Sequence, residues 1–311
     1  MDVYASALTL TAGNGANGIG ASSNALELEV NSLSASTAGT GGVFLAEASA
    51  ITVAGGSAIG VNRVGAAGGI TANGAQTAAQ AAGLASGGAL VLTTTAGSLT
   101  LSAAATAGGN LLLQAGGSTS DLDLRAAVST TGSTAGSLSL AAGRDLLQAA
   151  AVSVAGAGFT VDAVAGRDIV QTATTGTVST SNGNVVFSAE RDLALESIAA
   201  GTARVSLTAR TGSISDVDAG SATDVVAGSL LLTAGNSIGS NGASLALETS
   251  VDRVSARAGD GGVYLVEGNG LTVGSVSVDV NRVAATGVAS AIVGTAQESL
   301  TATGTGGIAL Q

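Results

Sequence analysis

Short runs of apolar residues, some with Ser or Thr between them, recur along most of this chain. Seven triplets illustrate the pattern: LVL (90–92), LLL (111–113), LSL (138–140), FTV (159–161), VVF (185–187), VSL (205–207) and LLL (230–232). Alternation with a period of two predicts β-strands, and the Gly-, Asn- and Ser-rich segments between them predict turns. The sequence does not sustain a 3.6-residue period over a dozen positions, so it predicts no long helix.

A second series of strands sets the spacing of the repeat. Segments such as GSLTL (97–101), GRDLLQ (143–148) and GRDIVQ (166–171) share one aliphatic position. The residues at that position are Leu99, Leu122, Leu146, Ile169, Leu193, Ile214 and Ile238. Successive members are 21 to 24 residues apart, which is typical of one coil of a β-helix. We therefore predict an all-β parallel solenoid of about 23 residues per coil, about thirteen coils in all, with these seven residues along one inner wall.

A longer repeat relates the two ends of the chain. Residues 2–14 (DVYASALTLTAGN) match residues 224–236 (DVVAGSLLLTAGN) without a gap, and VNRV occurs at 61–64 and again at 280–283. The chain is therefore predicted to be one continuous solenoid, with residues 1–222 as one unit and 223–311 as the start of the next. Each such unit is expected to add about 45 Å to the rod.

The ends of the chain also bear on this repeat. Met1 aligns with Thr223, and the second unit stops partway at Gln311, so we expect further copies to flank this segment in a longer chain. Segment 66–89 and its counterpart 285–305 are the least strand-like parts of the repeat. Each is expected to form a loop or short helix packed on the rod.

Composition supports a narrow core of small side chains. The 311 residues include 48 Gly but no Pro or Cys, and only 2% are aromatic. Because a strand paired on both sides needs every backbone N–H, the absence of Pro fits stacked coils. The net charge of −11 argues against nucleic acid as a partner. No apolar run is long enough to cross a membrane as a helix, and this segment carries no signal peptide.

Catalytic groups are scarce. The chain has no His, Cys or Lys, so the usual general base, thiol nucleophile and Schiff-base amine are missing. Two carboxylate pairs, Asp121 with Asp123 and Asp216 with Asp218, have the i, i+2 spacing that places both groups on one face of a strand. Sugar-cleaving β-helices use such pairs beside a groove, but no aromatic residues cluster near these. We predict that the chain is not an enzyme and needs no cofactor. A calcium-binding repeat is not predicted either, since GDGG (259–262) has GTGG as its first-copy counterpart.

A row of charged dipeptides precedes the ladder of aliphatic residues. It consists of Arg144–Asp145, Arg167–Asp168 and Arg191–Asp192. One interpretation is a stripe that binds a cation or another ligand. The favoured one is a series of turns in which each Asp bonds the backbone and each Arg neutralises the row.

The coil motifs resemble those of a known family. GRDLLQ, GRDIVQ and ERDLAL (190–195), with the flanking GSLSLAAGRD and NVVFSAERDLALESI, are similar to coils of filamentous-haemagglutinin-like large exoproteins. The resemblance implies a right-handed parallel β-helix, export to the bacterial cell surface or medium, and a part in adhesion, aggregation or biofilm formation. The Asn-Pro-rich secretion domain of that family is not in this segment.

These observations favour a passive stalk or scaffold segment of a giant surface adhesin. Its expected partners are further copies of its own repeat, with no nucleic acid bound and no insertion into a membrane. The alternatives are a solenoid that binds carbohydrate or ice through one face, and a polysaccharide-cleaving β-helix. An ice-binding face needs a regular Thr-x-Thr array, whereas Thr93 with Thr95 and Thr172 with Thr174 are isolated pairs. Bare solenoid ends also predict concentration-dependent head-to-tail association.

Overall fold

A computed structural model describes residues 1–13, 15–56, 60–75, 83–218, 220, 222–242 and 245–311. Within these residues the chain forms 33 β-strands and no helix. Twenty-nine of the strands belong to one sheet in which every pairing is parallel. The predicted all-β parallel solenoid is therefore confirmed.

The strands are short in the regular part of the rod and long near the two copies of DVxAxxLxLTAGN. In the first third they are β1 Val3–Ala12, β2 Leu26–Thr37, β3 Val43–Glu47, β4 Ile51–Val53, β5 Gly60–Val64, β6 Ile70–Ala75, β7 Leu84–Ser86, β8 Leu90–Thr94, β9 Leu99–Leu101 and β10 Ala105–Ala107. In the middle they are β11 Leu111–Ala115, β12 Leu122–Leu124, β13 Val128–Thr130, β14 Leu138–Ala142, β15 Leu146–Gln148, β16 Val152–Val154, β17 Val161–Ala165, β18 Ile169–Gln171, β19 Thr177–Thr180, β20 Val185–Ala189, β21 Leu193–Leu195, β22 Ser197–Ala199, β23 Arg204–Ala209 and β24 Ile214–Asp216. In the last part they are β25 Val225–Ala234, β26 Ser237–Ile238, β27 Leu247–Ala258, β28 Gly262–Glu267, β29 Thr272–Val273, β30 Val280–Val283, β31 Ala289–Ile292, β32 Leu300–Ala302 and β33 Ile308–Leu310.

Each coil of the regular part contributes three strands, and each strand pairs with its counterparts in the coils before and after. The strand that carries the predicted ladder shows the register. Its aligned residues are Ile51, Leu99, Leu122, Leu146, Ile169, Leu193, Ile214, Ile238, Val263 and Ile308. All but the last are buried, so they form one inner wall of a continuous aliphatic core.

The ladder has ten rungs from Ile51 to Ile308, and β2 and β1 continue the column before Ile51. The column thus holds twelve strands, fewer than the thirteen coils expected from chain length. Spacing within the regular part is as expected, but 48 residues separate Ile51 from Leu99 and 45 separate Val263 from Ile308. In both intervals the chain leaves the coil and returns. The 30 residues of the excursion (54–83) do not contribute to the coils of a 222-residue unit, so one unit adds about eight coils, or about 40 Å rather than about 45 Å at the usual strand spacing.

The excursion interrupts a single strand in the same way in both copies. Val53 and Leu84 pair with neighbouring positions of β2, Leu33 and Ala35, so β4 and β7 lie in line across the gap. In the second copy, β29 and β32 lie in line against β27. We call residues 54–83 the first arm and residues 274–299 the second arm.

The arms contain hairpins rather than the expected loops or short helices. In the first arm β5 and β6 pair antiparallel, and in the second arm β30 and β31 do so. The predicted irregular segment 66–89 thus holds β6, β7 and tight turns, while residues 76–82 lie outside the described residues. The sequence shows little apolar alternation in these segments, because Ala, Gly, Ser, Thr and Asn are frequent in both of them.

Candidate functional site

The second arm folds back along one side of the rod. That side, which we call the docking face, is built by β8, β11, β14, β17, β20, β23 and the second half of β25, stacked in register. Hydrogen bonds tie the arm to successive coils of this face. Gln297 donates to the carbonyl of Leu232 near the base of the arm, and Asn110 donates to the carbonyl of Gly287 at its tip. The arm therefore straps together coils that are 122 residues apart in sequence.

An ion pair holds the middle of the arm. Arg282 Nε donates to Asp162 Oδ2 at 2.6 Å and its Nη2 donates to Oδ1 at 3.1 Å, a bidentate pairing. Asp162 is 1% exposed, although it is on the outer side of β17, because the arm covers it. Next to it, the amide of Asn281 donates to the Thr160 hydroxyl at 2.9 Å.

Apolar contacts complete the seat of the arm. Val283 is 2% exposed and packs against Val91 and Leu112, with Phe44 at the edge of the cluster. The amide of Val283 also donates to the Ser139 hydroxyl at 2.9 Å. Outward-facing valine and leucine on a solenoid are costly in water, and here they are covered by the arm.

The first arm carries the same VNRV sequence without such a seat. Val64, the counterpart of Val283, is 70% exposed, and Ile70 is 71% exposed. Arg63, the counterpart of Arg282, makes no ion pair with any described residue. The docking face inside this chain is already occupied by the second arm. Residues 62–70 of the first arm are thus exposed.

The charged row forms a zipper between coils. Asp121 accepts from Arg144, Asp145 from Arg167, and Asp168 from Arg191, each through Nε and Nη2. Each Asp also accepts from a backbone amide of the following coil, as Asp168 does from the amide of Asp192 at 3.1 Å.

These contacts favour the charged form of Asp145. Burial raises the pKa of Asp145, but the hydrogen bonds from Arg167 and from the amide of Asp168 outweigh it, so the pKa lies below its ordinary value. The carboxylate oxygens point at guanidinium and amide donors, as the turn interpretation of this row requires.

Of the two carboxylate pairs, only one leads to an unusual site. Asp121 and Asp123 are each engaged by a different arginine, Arg144 and Arg125. Asp216, by contrast, lies with Asp224 and Glu248 in a cluster whose ligand oxygens are within 4.8 Å of one another. Sequence reasoning singled out Asp216 but missed the other two. Asp224 follows Asp216 in the same coil without a spacing motif, and Glu248 belongs to the next coil and reaches them only through the stacking.

Burial shifts the titration of this acidic cluster. It raises the pKa of Asp216 to about 6. Burial, reinforced by the charges of Asp216 and Glu248, raises the pKa of Asp224 to about 9. Burial likewise raises the pKa of Glu248.

One groove lies between the second arm and the docking face. Its volume is about 670 Å³, and Ser206, Thr208, Arg257 and Gln297 are among its lining residues. The Thr pairs considered for ice binding are elsewhere. Thr172 and Thr174 lie in a turn after β18, with Thr174 at a φ of 69°, so they do not form a flat strand array.

No protein-family model matches this sequence, and no curated protein or solved structure is significantly similar to it. None of the described residues belongs to a helix long and apolar enough to cross a membrane. The geometry of the arms and the core therefore carries the functional argument.

Proposed function

We propose that this chain is a non-catalytic stalk segment of a large repetitive bacterial surface protein, in which arms clamp each repeat unit to the one before it. The observation that carries the proposal is the pairing of the second arm with the docking face of the preceding unit. Arg282 belongs to the second unit and Asp162 to the first, and they are 120 residues apart in sequence.

The core supports the same role because it is not interrupted where the two sequence copies meet. β25 opens the second unit, yet it pairs with β22 and β23 of the first unit on one side and with β27 on the other. Identical units can therefore be added without a new domain boundary. A rod of this kind holds whatever lies at its tip at a fixed distance from its base.

The first arm fits the next clamp in such a series. Asn62, Arg63 and Val64 match the three residues that make the contacts of the second arm. We infer that the first arm docks on the preceding copy of the unit, with Arg63 against the equivalent of Asp162. Its exposed valine and isoleucine would be buried there.

The resemblance of the GRDLLQ-type coils to filamentous-haemagglutinin-like exoproteins supports export to the cell surface and a role in adhesion or biofilm. The charged dipeptides of those coils serve the inter-coil zipper, as expected for a motif that specifies architecture rather than a ligand.

The ligand-binding alternative rests on the groove beside the second arm. Polar groups such as Ser206, Thr208 and Gln297 could bond sugar hydroxyls. No aromatic side chain is among its lining residues to stack on a sugar ring. The clamp accounts for Gln297 more directly, since its side chain donates to the carbonyl of Leu232.

A chain lengthened by one unit tests the proposal. Residues 2–223 are copied in front of Asp2, and both chains are measured by small-angle X-ray scattering. A stalk lengthens by about 40 Å and stays one rod, because about eight further coils stack. Two particles joined by a flexible linker would contradict the proposal.

Hydrogen exchange on the same two chains tests the clamp. The lengthened chain holds two copies of residues 62–64. The amides of the second copy, which belongs to the original sequence, should become protected, and Arg63→Ala in that copy should remove the protection. In the original chain the same substitution should change nothing. Equal exchange of these amides in both chains would show that the arm does not dock.

Both ends of this segment expose apolar strand residues, among them Tyr4, Ile308 and Leu310. We infer that they mediate weak head-to-tail association. Light scattering that gives a monomer at every concentration would rule this out.

A further inference from the structure

Three acidic side chains from three neighbouring strands meet at one corner of the rod. Asp216 ends β24, Asp224 precedes β25, and Glu248 lies in β27. Two hydrogen bonds donated by backbone amides hold Asp224 and Glu248 together. The amide of Asp224 donates to the carbonyl of Glu248 at 2.9 Å, and the amide of Glu248 donates to Asp224 Oδ2 at 2.8 Å. The stacking of the coils thus forces the carboxylates together.

One oxygen of each carboxylate is buried and unpartnered. Asp216 Oδ2, Asp224 Oδ1 and Glu248 Oε2 have no hydrogen-bond donor among the described residues, and Asp224 is fully buried. A buried polar atom without a partner is strongly unfavourable, and a buried negative charge even more so.

Other buried acids of the rod show how the fold normally satisfies them. Glu47 accepts from the amides of Val30 and Ser49 and from the Ser49 hydroxyl. Its second-copy counterpart, Glu267, accepts from the amide of Val251 and the Thr249 hydroxyl. In the cluster at Asp224, amides reach only one oxygen of Asp216 and one of Asp224, and the other oxygen of each has no such donor. None of the ion pairs among the described residues brings an arginine to the cluster.

The arrangement recurs with the long repeat. Asp2 and Glu27 are the first-copy counterparts of Asp224 and Glu248. The amide of Asp2 donates to the carbonyl of Glu27 at 2.8 Å, and the amide of Glu27 donates to Asp2 Oδ2 at 3.1 Å. The pair is thus a property of the unit, and its third acid comes from the unit before.

We propose that Asp216, Asp224 and Glu248 bind a Ca²⁺ ion at the junction between consecutive units. Calcium takes oxygen ligands, carboxylates first among them, and its flexible coordination by 6–8 oxygens tolerates an irregular corner completed by carbonyls or water. Three converging carboxylate oxygens supply the anionic part of such a shell. The ion would offset two of the three negative charges and fasten the first coil of one unit to the last coil of the previous one.

Calorimetric titration of CaCl2 into the metal-free full chain at pH 7.5 tests the site. We expect one ion per chain and an unfolding temperature at least about 3 °C higher in 1 mM CaCl2 than in EDTA, since a ligand that binds only the folded state stabilises it. Both effects should be lost in the double variant Asp224→Asn, Glu248→Gln. Asp2→Asn with Glu27→Gln is the matched control and should retain both, because that pair has no third acid in this chain.

Two results would overturn the site. One is wild-type protein that gives no heat with calcium and the same unfolding temperature in calcium and EDTA, which means that protons alone neutralise the cluster. The other is calcium binding that survives unchanged in the Asp224→Asn, Glu248→Gln variant. That variant removes charge repulsion from a buried cluster and should fold in EDTA at least as well as wild type. Its far-ultraviolet circular dichroism shows whether it has done so.

Discussion

Arg282 and Asp162 form a bidentate ion pair across the boundary between two sequence repeats, with Nε and Oδ2 2.6 Å apart. The aspartate is on the outer surface of the coil and would be solvated if the arm were absent. Its burial ties the seating of the arm to one specific charge pair. The pair therefore reports directly on whether units are clamped.

Arg282→Ala should lower the free energy of unfolding by about 2 kcal/mol, because it leaves Asp162 covered without its charged partner. Amides of the second arm should also exchange faster with solvent. Arg63→Ala is the matched control, since Arg63 has the same sequence context and no ion pair among the described residues. Equal effects of the two substitutions on the unfolding free energy would contradict the clamp.

The ladder predicts a sharp contrast between adjacent leucines. Leu146 is fully buried between Leu122 and Ile169, whereas Leu147 points outward and is half-buried. Leu146→Ala should cost about 2–5 kcal/mol through lost burial and a cavity. Leu147→Ala should cost less than about 1 kcal/mol. Urea denaturation measures both, and a larger loss for Leu147→Ala would mean that the register is wrong.

The inter-coil zipper predicts that the aspartates matter more than the arginines. Asp168 is buried and accepts from both Arg191 and the amide of Asp192, so Asp168→Ala leaves several donors unpaired. We expect a loss of about 1–3 kcal/mol. Arg191 is half exposed, and Arg191→Ala should cost less than about 1 kcal/mol. Thermal unfolding measures the loss of stability in the two variants. A larger loss for Arg191→Ala than for Asp168→Ala would favour the interpretation of the row as a ligand-binding stripe.

The acidic cluster predicts the pH dependence of stability in EDTA. The pKa values of Asp216 and Asp224 are raised to about 6 and about 9, above those of the unfolded chain. The folded state therefore binds more protons than the unfolded state between about pH 4 and pH 9, and stability falls as the pH rises through this window. The unfolding temperature should be higher at pH 5 than at pH 8.

Asp224→Asn combined with Glu248→Gln should flatten that profile, since two of the titrating groups are gone. A wild-type profile that is already flat in EDTA, or one that rises from pH 5 to pH 8, would contradict the burial of these carboxylates.

The sequence predicted the coils well and the arms poorly, for a physical reason. Register along the ladder follows from one aliphatic side chain per coil, because a slip of one residue would expose all of them. Leu99 through Ile238 could therefore be aligned without coordinates. The partners of Arg282, Val283 and Asp224 lie on other coils at no fixed sequence distance. Finding Asp162 or Glu248 required the actual stacking of the chain.

The docking of the second arm had one sequence signal whose meaning was not apparent. VNRV recurs at 61–64 and 280–283 inside otherwise irregular segments. A charged motif that is repeated in both copies of one unit indicates a contact that each copy can make. In the first arm the same motif is exposed at Val64, so the motif alone does not identify the residues that it contacts.

Spin-label distances along one column test the stacked-coil account most directly. Four residues occupy equivalent outward positions in one column of the ladder: Thr100, Val170, Ala194 and Ser215. The chain has no native cysteine that would also take a label. Cysteine pairs that join Thr100 to Val170, to Ala194 and to Ser215 span three, four and five rungs. The account predicts Cα separations of about 14, 19 and 24 Å, rising by one strand spacing at each step. Broad distributions, or separations that do not increase in this order, would contradict it.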